Sequence, residues 1–332
     1  MKITPKNAVL PHSQAKLKLY GDYLKTYLRI LSLSKYVSHI NIYDIFCGTG
    51  IYEDGKSGSP IKAFDIIMSL FDFLLSNDKP LPEVTLTVND GIANNIAKVK
   101  KYLENKNKSD KLNIRFYGLS SEDIFDIVIS DISNQVGSVK NLIFVDPYGY
   151  KDIHKKDLVN ILKDRKSEVI LFLPVSHMYR FLNKSIDSEK EKAFEKLRRF
   201  ISDFLPKNIK MKFSNYNIFA FIDDLKNALN MDGEYYSSSF YIQRNRGNYN
   251  ALFFITPSIK GFEKIIEIKW EMDPKDGKGF QINPKNGLFD PDPSESFKPD
   301  LSRFLLYGEN LTNVDLYDFA IKSERPLVLP PL

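Results

Sequence analysis

Residues 39–50 read His39-Ile40-Asn41-Ile42-Tyr43-Asp44-Ile45-Phe46-Cys47-Gly48-Thr49-Gly50. The β-branched and aromatic residues of 39–46 predict a strand, and the paired glycines stop it abruptly. Further on, Ser59-Pro60 opens a predicted helix, because proline is accepted in a first helical turn. The unit is therefore strand, glycine loop, helix. It recurs along the chain. Strands are predicted at 84–88, 112–117, 142–145 and 169–173, with helices at 92–105, 121–133 and 153–165 between them. Such alternation predicts an α/β, Rossmann-like sheet of parallel strands with helices on both faces. Ligands in such sheets bind beyond the carboxyl ends of the strands, where the strand order reverses.

Upstream, residues 12–33 have helical spacing of Leu17, Tyr20, Leu24, Tyr27, Leu28 and Leu31. Downstream of residue 175 the rhythm changes. A long charged helix is predicted over 186–205 and a short one over 219–230. Runs 237–243 and 249–256 flank Arg244-Asn245-Arg246-Gly247-Asn248 and predict an antiparallel hairpin at the sheet edge. A helix follows at 261–270. Residues 273–299, rich in Pro, Gly, Asp and Lys, read as a linker; 301–324 read as two short helices, and 326–332 are markedly apolar. The expected organisation is an N-terminal helical segment (1–38), an α/β domain (39–270) with a helical insertion around 177–234, and a linker with a small C-terminal helical segment (271–332).

Composition narrows the function classes. The 332 residues are 43% hydrophobic and 27% charged, as in an ordinary globular chain. Cys47 is the single cysteine, so neither a disulfide framework nor a cysteine zinc cluster is possible. The four histidines, His12, His39, His154 and His177, are scattered, and no metal site is expected. No apolar run suits a membrane span, and the N-terminus lacks a signal-peptide core, so cytoplasmic residence is expected. A net charge of +5 is compatible with a nucleic-acid partner without requiring one.

Each predicted parallel strand ends in residues able to carry chemistry. The first ends in Asp44, Phe46, Gly48 and Gly50. Glycines allow a tight turn and close backbone approach to a ligand. A dinucleotide fingerprint has a third glycine, but Glu53 and Asp54 follow here. A pyrophosphate would be repelled, whereas a sulfonium ligand with an amino-acid tail would not. Asp90 closes the second strand, where it suits ribose hydroxyls or caps the helix at 92–105. Ser120 and Ser121 follow the third strand, able to cap the next helix and to face an adenine. The fourth ends in Asp146-Pro147-Tyr148-Gly149. Asp146 and a neighbouring carbonyl can accept the two protons of an exocyclic amine, with Tyr148 stacking on the base that carries it. Directing both N–H bonds to acceptors aims the nitrogen lone pair, so alignment carries the chemistry. A plain β-turn would use the same Asp, Pro and Gly. His177, in the predicted loop after the fifth strand, is a candidate for substrate contact or a plain core or surface histidine; Arg180 in the same loop, and Arg244 and Arg246 in the hairpin turn, are candidates for contact with substrate phosphates. Cys47 reads as a packing residue.

The runs 43–55 and Gly58-Ser59-Pro60, the run Phe144-Val145-Asp146-Pro147-Tyr148-Gly149-Tyr150, His12 with Lys16, and the later runs 249–254 and 261–263 together resemble the three-Cys-motif partner proteins. The resemblance spans roughly residues 10–275 and joins separated motifs in order. It implies a class I methyltransferase fold with the glycine loop holding S-adenosyl-L-methionine. Asp146-Pro147-Tyr148 is similar to the Asp-Pro-Pro-Tyr motif of amino-group methyltransferases acting on nucleic acid, with the second proline missing. The family name refers to a separate three-cysteine protein as partner. The expected function is methyl transfer to an amino group of a DNA or RNA base. The alternatives are a catalytically reduced binding module acting with a partner protein or nucleic acid, and a methyltransferase for protein or small molecules.

Overall fold

The computed structural model describes residues 10–107, 109–187, 194–205, 216–245, 247–281, 297–308 and 311–325. The parallel half consists of β1 (His39–Asp44), β2 (Glu83–Asn89), β3 (Leu112–Tyr117), β4 (Val139–Val145) and β5 (Ser167–Leu173). Preceding and connecting them are α1 (Pro11–Ser32), α2 (Ser59–Leu75), α3 (Ala93–Glu104), α4 (Ser121–Ser133) and α5 (Lys155–Leu162). Next come α6 (Val175–Asp187), α7 (Glu195–Phe204) and α8 (Ile218–Leu229), the hairpin β6 (Tyr236–Asn245) and β7 (Asn248–Thr256), and α9 (Ile259–Met272). The chain then adds β8 (Gly279–Phe280), α10 (Lys298–Tyr307) and α11 (Asn313–Lys322).

The strands form one mixed sheet in the order β3-β2-β1-β4-β5-β7-β6-β8. Pairing is parallel from β3 to β5 and antiparallel at β5–β7 and β6–β7. This is the expected Rossmann-like sheet with an antiparallel hairpin. Strand order reverses between β1 and β4, so the crevice such a sheet offers lies outside Asp44 and Val145.

Alternation along the strands divides the core into two layers. Ile40, Ile42, Leu142, Phe144, Ile170 and Phe172 point to one face, covered by α1, α2, α3 and α9. Tyr43, Ile143, Val145, Val169 and Leu171 point to the other, covered by α4 to α8. Strands buried on both faces need continuous hydrophobicity, as in Leu142 to Val145, all fully buried. Each such Leu, Ile or Phe contributes about 1.5–3 kcal/mol by leaving water. Helix α1 is integral to its layer: Tyr20, Tyr23, Leu24 and Leu28 are all buried there.

Beyond β5 and around α5 the structure differs in detail from the expectation. Of the helix expected at 186–205, the described residues show the end of α6, to Asp187, and α7; residues 188–193 lie outside the described residues. Pro174, read as part of a loop, opens α6: its carbonyl accepts from His177 N and Met178 N. The helix expected at 153–165 is only Lys155–Leu162, as Arg165 takes φ +55°, a left-handed turn that a helix cannot contain. The antiparallel hairpin stands beyond β5 at the sheet's edge, as expected, with one short strand outside it. Part of the expected linker forms β8, which pairs parallel to β6 at Tyr241 and Ile242. Residues 282–296 and the apolar run 326–332 lie outside the described residues. No described helix is long and apolar enough to cross a membrane.

Candidate active site

The glycine loop is a compact hairpin. Gly48 and Gly50 adopt φ of +60° and +71°, where side chains are disfavoured. At Gly50 a Cβ would also stand 2.6 Å from Val99 Cγ2, and at Gly58 it would meet the Gly50 carbonyl at 2.9 Å. Gly58 N donates to Gly50 O at 2.6 Å, so the loop returns on itself before α2 begins. Cys47 is buried in the core and its thiol is pushed up by burial first, then by Asp44 and Asp90, which fits packing rather than nucleophilic attack.

The loop is tied to its neighbours by two side chains at the end of β2. Asn89, which the sequence reading missed, donates from Nδ2 to Ile45 O (3.1 Å) and Leu119 O (3.3 Å) and accepts from Leu119 N (2.9 Å). It thereby joins the ends of β1, β2 and β3. Asp90 accepts from Gly48 N (3.0 Å), Ile92 N (2.9 Å) and Asn95 Nδ2 (2.9 Å). Its carboxylate is 1% exposed and holds the glycine loop; one lone pair of Oδ2 is left for a ligand hydroxyl. Ser120 is the N-cap of α4, accepting from Asp123 N, and Ser121 is that helix's first residue. Phe46 is half-buried, its ring edge-on to Phe125.

Asp44 is the most telling residue. It is fully buried, and neither carboxylate oxygen has a hydrogen-bond partner of adequate geometry among the described residues. Burial is the main cause that raises its pKa to about 7; the nearby Ser59 hydroxyl opposes this, the Asp146 charge adds to it, and Lys16 and the Phe46 N–H oppose it. A buried carboxylate left this way calls for a cation or a donor from a ligand.

Asp146 follows β4 on the same face as Asp44 and Phe172. Over that face lies α1, which presents His12, Lys16 and Tyr20 at i, i+4 and i+8 on one stripe. Lys16 Nζ donates to Asp146 Oδ2 and sits 4.6 Å from the Phe172 ring centroid. Tyr20 stacks on Phe144 at 4.2 Å; its buried hydroxyl has no hydrogen-bond partner among the described residues and is raised well above the usual phenol range by burial and by Asp44. Tyr52, from the glycine loop, faces the same group: burial, then Lys16, Asp146 and Asp44 in turn, set its pKa, which is raised. Pro147 is buried. Tyr148 stands in solvent at 83% exposure, near enough to Asp90 and Asp146 for both to raise its pKa after partial burial of the hydroxyl.

The strand directions bring the hairpin tip to this edge, since Leu173 at the end of β5 pairs with Ala251 near the start of β7. His177 and Arg180 lie on α6, exposed. His177 packs between Tyr150 and Phe181, and Arg180 donates to Asn248 Oδ1 at 2.8 Å. Arg244 is exposed on β6 and reaches His12 electrostatically. Burial, then Arg244 and Lys16, push His12 down to about 4, so it is neutral at physiological pH. Arg246 lies outside the described residues. The structure thus places Asp44, Gly48, Gly50, Asp90, Asp146 and Tyr148 at the carboxyl ends of β1, β2 and β4, with Arg244 beside His12 of α1 and Arg180 bonded to Asn248 at the hairpin tip. Tyr20, Tyr52 and Asn89 are additions. Tyr20 was legible only as an apolar position of a helix, and Asn89 only as part of a turn.

Solved structures similar to this chain include an O-methyltransferase from Bacillus cereus in complex with SAH (14% identity, TM-score 0.37, covering 76% of this chain and 84% of that one). A putative O-methyltransferase from Klebsiella pneumoniae is similar at 11% identity and TM-score 0.37, over 75% and 90% of the two chains. Trm1 from Pyrococcus horikoshii with S-adenosyl-L-methionine is similar at 10% identity and TM-score 0.38, over 82% and 65%. No family model and no curated protein sequence matches the chain. At these identities and TM-scores the likeness adds nothing to the reading of the site, which rests on the geometry above.

Proposed function

We propose that the protein is an S-adenosyl-L-methionine-dependent methyltransferase acting on an amino group of a nucleic-acid base. The observation that carries this reading is the buried Asp44 carboxylate beside a left-handed glycine loop at the switch point of the sheet. Asp44 and Asp90, neither of them ion-paired among the described residues, give the site an anionic bias that disfavours a pyrophosphate and favours a cationic ligand. The donor fits this bias: its ammonium suits Asp44, and its ribose suits Asp90. Gly48 and Gly50 allow close approach of the backbone, and Ser120 and Ser121 border the side where an adenine would lie.

When bound, the donor supplies an electrophilic methyl group. The chain's own part is to hold the acceptor. Asp146 takes an amine N–H, the exposed Tyr148 ring offers a face for the base, and Arg180 and Arg244 offer charge to the phosphate backbone. The three-Cys-motif partner resemblance adds a second proposal, that a separate cysteine-bearing protein works with this one.

The test is tritiated methyl transfer to DNA and RNA oligonucleotides, with donor affinity measured on the same proteins. Asp146→Ala is expected to lose turnover, by about 100-fold or more, while keeping donor affinity within a few-fold. A variant retaining full turnover would remove Asp146 from the acceptor site. Donor binding with turnover only on proteins or small molecules would reassign the substrate.

A further inference from the structure

The acceptor position already holds an amine from the protein itself. Lys16 Nζ is bound to Asp146 Oδ2, and both side chains are largely buried, at 11% and 18% exposure. The Phe172 ring lies 4.6 Å below the same ammonium, and Asp44 and Tyr52 are within electrostatic reach of it. A carboxylate acceptor, a π face and a second acid form a receptor for a positively polarised N–H group. Lys16 reaches it from α1, a different element from the strands that build it.

We propose that this cup is an amine subsite, which Lys16 fills as an internal stand-in and which the substrate's amino group takes over by displacing it. The inference rests on the methyl-transfer reading. Its consequence is thermodynamic. A ligand amine must first break the Lys16–Asp146 pair, so its apparent affinity is reduced by the fraction of molecules in which the cup is open. Weak amines are excluded, and a substrate held elsewhere, at Arg180 or Arg244, is admitted. A simple counter-ion for Asp146 would have no such effect on ligand choice.

The experiment titrates wild type, Lys16→Met and Lys16→Arg with four nucleosides by calorimetry: adenosine and cytidine, which carry an exocyclic amine, and inosine and uridine, which carry a carbonyl in its place. Lys16→Met keeps the packing over Phe172 and removes the ammonium. It is expected to bind adenosine, cytidine or both at least about tenfold more tightly than wild type. Inosine and uridine should not change, and Lys16→Arg should behave as wild type. In the wild-type protein, the rate of Lys16 acylation should rise when the tighter amino-nucleoside is added. No gain for amino-nucleosides, or an equal gain for all four, overturns the proposal. If Lys16→Met does not fold, the wild-type acylation rate decides alone: unchanged labelling overturns it. S-adenosylhomocysteine titrated into the same proteins separates the two claims. Its binding without any amine preference sinks the subsite and leaves the methyltransferase reading standing; its failure to bind while the amine preference holds sinks the methyltransferase reading and leaves an amine site of another reaction.

Discussion

Asp44 ties the fold's stability to its chemistry. Its folded pKa, about 7, lies above the unfolded value of 3.8. The native state therefore holds the proton more tightly, and stability falls as pH rises from about 4 to about 7, then levels. The loss on ionisation is on the order of 4 kcal/mol. Asp44→Asn should flatten that part of the stability–pH curve, measured by urea unfolding at pH 5 and pH 8, and should be more stable than wild type at pH 8. A cationic ligand needs the ionised form. Donor affinity should thus climb up to about tenfold per pH unit below pH 7 and become flat above it. A variant with the wild-type slope would show that Asp44 does not titrate in this range. The Lys16–Asp146 pair beside it lay beyond sequence reading for a simple reason: its members are 130 positions apart, and only the packing of α1 across the switch point joins them. Asp44, Gly48 and Gly50 were legible because a local turn geometry demands them.

At the scale of elements, Asn89 holds three strand ends in register. Asn89→Ala removes three hydrogen bonds of a buried amide and leaves Ile45 O, Leu119 O and Leu119 N short of a partner. The expected cost is about 2–3 kcal/mol in chemical denaturation. Hydrogen exchange should quicken in residues 45–50 and 118–121 before the rest of the sheet; uniform quickening would deny the latch. The alternating half of the chain was read with nearly correct bounds because its strands are short apolar runs closed by turn residues. The region after β5 was not. Pro174 signals both a turn and a helix start, and tertiary contact decides between them: Val175, Met178 and Leu182 of α6 bury against the layer that also holds Leu197 and Phe200 of α7. β8 is two residues long, too short for any periodicity, and exists because β6 offers it a ladder.

At the scale of the molecule, Glu324 fastens the C-terminal helices to the sheet. Its carboxylate meets Lys226 Nζ (2.8 Å), Ser238 Oγ (2.7 Å) and the buried Lys269, and its carbonyl accepts from Trp270 Nε1 (2.8 Å). Although burial works the other way, Lys269 and Lys226 hold its pKa down to about 2. This stabilisation is present above the ordinary value of 4.5 and is lost as pH falls towards 2. Glu324→Ala would leave Lys269, 3% exposed, without its counter-charge, at a cost of about 3–5 kcal/mol. Limited proteolysis should then cut around α11 while the parallel half of the sheet stays protected. Unchanged cleavage would mean that α11 is held by other contacts. The sequence showed two short helices here but not their anchor, since one glutamate in a charged segment has no local signature.

The central claim is that Asp44 and the glycine loop bind a sulfonium-bearing amino-acid nucleoside. Calorimetric titration of S-adenosyl-L-methionine and S-adenosylhomocysteine into the wild-type protein and Asp44→Asn at pH 7.5 tests it most directly. The account predicts micromolar binding of both ligands to wild type and a loss of about 10-fold or more in the variant, the worth of one charge-assisted contact. Absence of binding to the wild type, or equal binding to both proteins, would contradict it.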